Sequence, residues 1–306
     1  MGSGFESSET DGGVFLIVTQ RKDKSPTKSL KELLTTHGFQ LKKSLGQNFL
    51  IDTNVLNRIL DAAEITQNDG VLEVGPGAGV VTRELAETAK QVVAVEKDTA
   101  LEPVLKDSLS QFDNVQVIFS DILDVDMNEL WKHFQTCQRV VVVANLPYYV
   151  TTPILFQILE SEVPVDTIVV MVQKEVANRL TASPGTKDYG ALTVAVQLRA
   201  KVDTVMQVHP GSFLPPPGVD STVVRLRCYP SLPVRLQSVK TFRKVVRAAF
   251  ATRRKTLYNA LSNGLVLPKA QVALALDEAN IDKSRRGETL TLDEFVHLSN
   301  FFHEML

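Results

Sequence analysis

Residues 71–88 read VLEVGPGAGVVTRELAET. An apolar run, VLEV at 71–74, delivers the chain into the glycine turn EVGPGAG at 73–79, and from Val80 to Thr88 the apolar spacing becomes helical. Strand, glycine turn and helix in that order let the backbone approach a ligand at a helix N-terminus. Outward from this unit, short β-branched runs recur between helix-like stretches: VVAVE at 92–96, VQVIF at 115–119, VVVVAN at 140–145 and TIVVMV at 167–172. Runs so unbroken are buried on both faces, which predicts α/β architecture: a doubly wound, mostly parallel sheet. Two later candidates, at 200–208 and 222–227, flank the proline-rich stretch HPGSFLPPPGVDS and read as an antiparallel hairpin on one sheet edge. Upstream, NVLNRILDAA at 54–63 has one apolar helical face, with Asp52 or Thr53 available as N-cap. After the RCYPSLP linker at 227–233 no strand pattern recurs and the chain reads helical to its end.

Composition narrows the function classes. The 306 residues are 44% hydrophobic and 22% charged with a formal net charge of −2, enough apolar material for one large core or two modest ones. Charge balance exerts no global pull on nucleic acid, so any such binding must come from a local patch. Two cysteines, Cys137 and Cys228, are too few for a disulfide framework and stand in no metal-ligand spacing, which points to a reducing, cytoplasmic setting and no structural metal. No apolar run approaches the roughly 20 residues of a membrane-spanning helix. Residues 1–28, opening MGSGFESSETDGG, read as a disordered leader.

The chemistry is expected at the carboxyl edge of the sheet, where open α/β folds bind ligands. Gly75 opens the turn, but the position where a dinucleotide fold needs its third glycine is Val80, which argues against a nicotinamide or flavin site. Glu96 ends the second strand 21 residues after Gly75, placed to accept from both hydroxyls of a ribose, and Asp121 follows the third strand, placed for an adenine amino group. Each acid taken alone also fits a solvated strand-end charge. After the fourth strand comes Asn145-Leu146-Pro147-Tyr148, which resembles the signature of methyltransferases that act on exocyclic amines. An adenine N6 lone pair is delocalised and weakly nucleophilic, so a site must grip the amino hydrogens; the Asn145 side-chain oxygen and the Leu146 carbonyl can accept them, Pro147 fixes the turn, and Tyr148 or Tyr149 offers a ring to stack on.

Together with GQNFLID at 46–52, SDI at 120–122, NLPYYVTTPI at 145–154 and FLPPPGVDSTVVRL at 213–226, these motifs resemble the ribosomal RNA adenine N6-dimethyltransferase family over residues 40–300. RRGETLTLDEF at 285–295 resembles its bacterial small-subunit (16S) branch. The resemblance implies a class I, Rossmann-like methyltransferase domain over 29–230 and a helical RNA-binding domain over 231–306. It implies S-adenosylmethionine contacts from Asn48, Leu50, Gly75, Glu96, Asp121 and Asn145, catalysis at Asn145, Leu146, Pro147 and Tyr148, and Phe213 facing Tyr148 across the target base; Phe213 reads equally as a core aromatic. The implied substrate is a pair of adjacent adenines near the 3′ end of small-subunit RNA in a pre-30S particle, met by a monomer during ribosome biogenesis.

RNA contact is expected from residues 241–258, TFRKVVRAAFATRRKTLY, which hold Arg243, Lys244, Arg247, Arg253, Arg254 and Lys255 and no acid. Lys42-Lys43 and Arg285-Arg286 can extend that track. Rival readings are a large-subunit dimethylase conferring macrolide resistance, a non-catalytic assembly factor on the same fold, and, least favoured by Val80, a dehydrogenase.

Overall fold

The computed structural model describes residues 7–10, 14–18, 30–42, 46–161 and 164–305. Its centre is a run of parallel strands: β4 (Gly70–Val74), β5 (Gln91–Glu96), β6 (Val115–Phe119), β7 (Val140–Asn145) and β8 (Val165–Gln173). They stand in the order β6-β5-β4-β7-β8. The chain winds outward from β4 to β6, then crosses back to β7, so β4 and β7 flank the point where the winding reverses. Every residue of β4 is buried, as a strand covered on both faces requires. Cover comes from α2 (Thr53–Ala63), α3 (Val80–Thr88), α4 (Glu102–Ser108) and α6 (Thr151–Glu160). The short helices α1 (Leu30–Thr36) and α5 (Met127–Trp131) complete this part. Of the two N-cap candidates for α2, Asp52 takes the role, accepting from the Asn54 and Val55 N–H groups.

Beyond β8 the sheet continues with β11 (Ser221–Cys228), antiparallel to it, and then β9 (Ala200–Val208) at the edge. Between them, the proline-rich stretch contributes β10 (Phe213–Leu214), which pairs with β3 (Phe49–Leu50). That pairing ties residues 49–50 to the sheet domain, a link no local pattern announced. The opposite edge corrects the reading of 1–28 as a disordered leader. Strands β1 (Ser7–Thr10) and β2 (Val14–Val18) form a hairpin whose second strand pairs antiparallel with β6. VFLIV at 14–18 has the composition of a strand, and β6 would otherwise present an open edge. The other residues of 1–28 lie outside those described.

The chain divides into two units, Met1–Lys174 with Asp203–Cys228, and Glu175–Val202 with Tyr229–Leu306. The expected boundary near 230 is therefore incomplete: residues 175–202, carrying most of α7 (Lys174–Thr181) and α8 (Ala191–Gln197), belong with the helical tail. Tyr189, Val194 and Leu198 share a core with Phe242, Val246, Phe295 and Phe302, and the Tyr189 hydroxyl donates to Leu290 O at 2.8 Å. The tail itself is helical throughout, as α9 (Val239–Phe250), α10 (Leu257–Gly264), α11 (Lys269–Glu278) and α12 (Leu292–His303). No described helix is long and apolar enough to cross a membrane.

Candidate active site

Parallel pairing brings the ends of β6, β5, β4 and β7 to one edge, and with them Asp121, Glu96, Gly75 and Asn145. These four, with Asn48, Leu50, Leu146, Pro147 and Tyr148, line one pocket at the reversal point between β4 and β7. Phe213 does not join them. It is 3% exposed, opposite Leu50 in the β10–β3 pair and packed in the core of the sheet domain, so the stacking role gives way to the core reading.

The glycine turn is shaped by close approach. Gly75 has φ +75°, and a Cβ added at Gly77 (φ +58°) would lie 2.9 Å from the Phe49 ring, so only glycine lets residues 46–50 settle over the turn. The Gly77 N–H donates to Glu96 Oε2 at 3.1 Å, and the Asp98 N–H donates to Oε1 at 2.8 Å. Burial nonetheless pushes the Glu96 carboxyl up to about 7, these two N–H groups opposing the rise. Each oxygen keeps a lone pair for a further donor. Glu73, an acid inside the apolar first strand, is 3% exposed, and burial pushes its carboxyl to about 8. The neighbouring Thr82 hydroxyl moderates that rise, and Glu73 Oε2 and Thr82 Oγ1 are both buried without a hydrogen-bond partner. A pocket with two buried carboxyl groups, one of them with an orphaned oxygen, fits a ligand with several polar groups to offer. VLEV carried the signal for Glu73, since a charged residue in a fully buried strand needs a reason; the sequence reading assigned it none.

Asp121 caps a 3-10 turn through the Leu123 N–H at 3.0 Å and pairs with Lys97 at 2.6 Å. Its pKa lies below the usual carboxylate range, the Lys97 and Leu123 contacts outweighing burial. At the tip of β7 the turn is held from several sides. Leu146 is buried with its N–H on Met171 O at 3.3 Å, and Pro147 O accepts from the Val150 N–H and the Thr151 hydroxyl. The Tyr148 hydroxyl bonds Ser221 Oγ at 2.9 Å, which fixes its ring, while Tyr149 is 58% exposed. Asn145 Nδ2 donates to Asn48 O at 3.1 Å.

A rigid amide at the winding reversal, beside a glycine turn and carboxylates suited to a nucleoside, is the arrangement of an amino-methyltransferase. The model of the family described as ribosomal RNA adenine dimethylase matches residues 38–302. The chain belongs to the ribosomal RNA adenine dimethylase family. Ribosomal RNA small subunit methyltransferase A of Bacillus cytotoxicus is 52% identical over 283 residues, 91% of this chain and 97% of that protein. Its counterpart in Bacillus licheniformis is 50% identical over 280 residues, 90% and 96% of the two chains. Among solved structures, a dimethyladenosine transferase from Plasmodium falciparum is 26% identical with a TM-score of 0.72, covering 84% of this chain and 98% of its own. The 23S rRNA methyltransferase ErmE is 28% identical with a TM-score of 0.64, covering 84% and 100%. As a member of the adenine dimethylase family the chain is a ribosomal RNA adenine dimethyltransferase on a class I methyltransferase fold.

The basic tail is less uniform than its sequence suggests. Phe242, Val245, Val246 and Ala249 are buried on α9, which leaves Lys244 and Arg247 exposed and Arg243 half-buried. Arg253, Arg254 and Lys255 fall on the turn after the helix. Arg253 meets a counter-charge from outside the segment, Glu288 at 3.1 Å, and donates to Lys187 O at 2.7 Å. Arg285 is committed to the fold: it binds both Glu294 oxygens, and Glu294 closes the capping box of α12. Lys42 is also taken, by Asp98 at 2.6 Å, and Lys43 lies outside the described residues. Arg286 is exposed.

Proposed function

We propose that this chain converts two adjacent adenines near the 3′ end of small-subunit (16S) ribosomal RNA to N6-dimethyladenosine, acting as a monomer on a pre-30S particle in the cytoplasm with S-adenosylmethionine as donor. The observation that carries the reading is the placement of Asn145, with Leu146 and the anchored Tyr148, at the β4/β7 reversal, one strand from the glycine turn. The small-subunit names of the Bacillus relatives, at half the sequence identical across nearly all of both chains, favour the small-subunit branch over the large-subunit alternative.

Glu96 is the group for the ribose hydroxyls, Asp121 for the adenine amine, and Glu73 Oε2, with Asn48 and Leu50 across the pocket, for the amino-acid end of the donor. When bound, S-adenosylmethionine supplies an electrophilic methyl on a sulfonium with a neutral leaving group. The chain's own part is to orient the base. Asn145 Oδ1 and the Leu146 carbonyl accept the two N6 hydrogens and favour a pyramidal nitrogen as positive charge develops there. Tyr148, its hydroxyl held by Ser221, offsets the few kcal/mol lost when the adenine leaves its loop stack. The proton of the alkylated nitrogen leaves to water, so no side chain acts as general base. A monomethylated amine retains one hydrogen, and a single acceptor then holds it. Exposed Lys244, Arg247, Arg254 and Lys255 contact phosphates without reading sequence.

The test is incubation with labelled methyl donor and undermethylated small subunits, followed by nucleoside analysis. Label is expected in N6-dimethyladenosine of small-subunit RNA; no label there, with label in the RNA of large subunits offered in a parallel incubation, would overturn the branch assignment, and none on N6 in either would overturn the chemistry.

A further inference from the structure

Asn145 takes its orientation from residues 46–48, not from its own strand. A carboxamide is nearly symmetric in shape, yet its ends are opposite in kind: the oxygen accepts and the nitrogen donates. Only the oxygen can hold an amino hydrogen, and an NH2 turned toward N6 would repel it. Asn48 O can only accept, so its bond to Asn145 Nδ2 at 3.1 Å settles which end of the amide faces away from it.

Asn48 is in turn held by its neighbour. Gln47 Nε2 donates to Asp98 Oδ2 at 2.7 Å, and Gln47 Oε1 accepts from the Lys42 N–H at 3.0 Å. Asp98 has a side chain 1% exposed and also receives Lys42 Nζ at 2.6 Å and the Ala100 N–H at 3.1 Å. Burial acts to raise its pKa and the Lys42 and Gln47 bonds outweigh it, so the anchor is an ionised carboxylate. A charge so enclosed, two residues past Glu96, is more than a turn cap.

We infer that Asp98 is a positioning residue for methyl transfer: through Gln47 it fixes the Asn48 carbonyl against Asn145 and thereby presents the amide oxygen to the substrate amine. The inference rests on the reading of Asn145 as amine acceptor. A carboxylate at position 145 separates the two, since its oxygens are equivalent and need no orienting.

Single-turnover rates at saturating donor are measured on the full chain with undermethylated small subunits, so that losses of donor affinity do not enter. Gln47→Leu and Asp98→Ala should each slow transfer about tenfold or more, the scale of a misplaced catalytic group. Gln47→Leu removes one half-buried amide and keeps the test alive where Asp98→Ala fails to fold. In an Asn145→Asp background, slower but measurable, the same Gln47→Leu change should alter the rate by less than about twofold, because rotation no longer matters. An equal loss in both backgrounds would overturn the inference, as would an Asn145→Asp protein without turnover, since presenting an oxygen would then not suffice. Failure of the parent reading looks different: Asn145→Ala would transfer methyl at the normal rate whatever stands at 47 or 98.

Discussion

The pocket edge and the basic tail are both charged, and they use charge in opposite ways. At the pocket, Glu73, Glu96 and Asp98 are buried; both Glu96 oxygens accept from the Gly77 and Asp98 N–H groups, and both Asp98 oxygens from Lys42 and Gln47. In the tail, Lys244, Arg247, Arg254 and Lys255 stand in solvent, while Arg253 and Arg285 meet acids supplied by the same unit. Enclosed groups act at short range, so one substitution costs much, whereas exposed cations act additively through counterion release. Perturbing each region should reveal that contrast.

The sharpest break is expected at Asn145. Asn145→Ala should reduce methyl transfer on the order of 10³-fold, as loss of a preorganised polar group does, with donor affinity by calorimetry within a few-fold of the parent. Next, Glu96→Ala should weaken donor binding about 10²-fold or more, the lower end of what the loss of two charge-assisted hydrogen bonds at ~1.5–3 kcal/mol each gives. An unchanged calorimetric affinity would remove it from the site. In the tail, neutralising Lys244, Arg247, Arg254 and Lys255 together should flatten the salt dependence of RNA affinity by about 0.7–0.9 for each phosphate left without its cation, with transfer at saturating RNA preserved.

Glu96 also predicts a pH effect confined to the pocket. Its carboxyl is raised to about 7, so the form with four acceptor sites becomes dominant only above neutrality. Donor affinity should therefore rise about tenfold from pH 6 to pH 8 on account of Glu96, and Glu96→Gln should remove that part of the slope, leaving only what Glu73 contributes as it ionises near 8. Stability of the free protein should move the other way. Both Glu73 and Glu96 have raised folded-state values, so their contribution is complete below pH ~4.5 and is lost as pH climbs through about 7 and 8. Melting temperatures measured across that range check the sign. The smallest functional effect belongs to Arg285→Ala: a loss of about 1.5–3 kcal/mol in the helical unit, read in thermal unfolding, with the RNA salt slope unaltered.

Much of this was legible in short-range patterns. The helix from Val80 to Thr88, the strand ends at Glu96 and Asn145, and the apolar face of α9 all follow from spacing, which local backbone geometry dictates. What escaped reading depends on partners far along the chain. Phe213 sits against Leu50, Arg253 against Glu288 and Lys42 against Asp98, none inferable from neighbours in sequence. Charge counting took Arg253 together with the other cations of 241–258 because composition does not record where an acid will be folded beside one.

The amino-acid order alone determined the individual strand runs, the glycine turn and the chemistry placed at the tip of the fourth strand, since each arises from residues within a dozen positions of one another. Tertiary structure alone decided that residues 175–202 join the helical tail, that Phe213 is core, which cations stay in solvent, and which end of the Asn145 amide faces Asn48. Those outcomes turn on burial and on contacts such as Tyr189 with Leu290, Phe213 with Leu50, Arg253 with Glu288 and Asn145 with Asn48, and such contacts exist only once the chain has closed on itself.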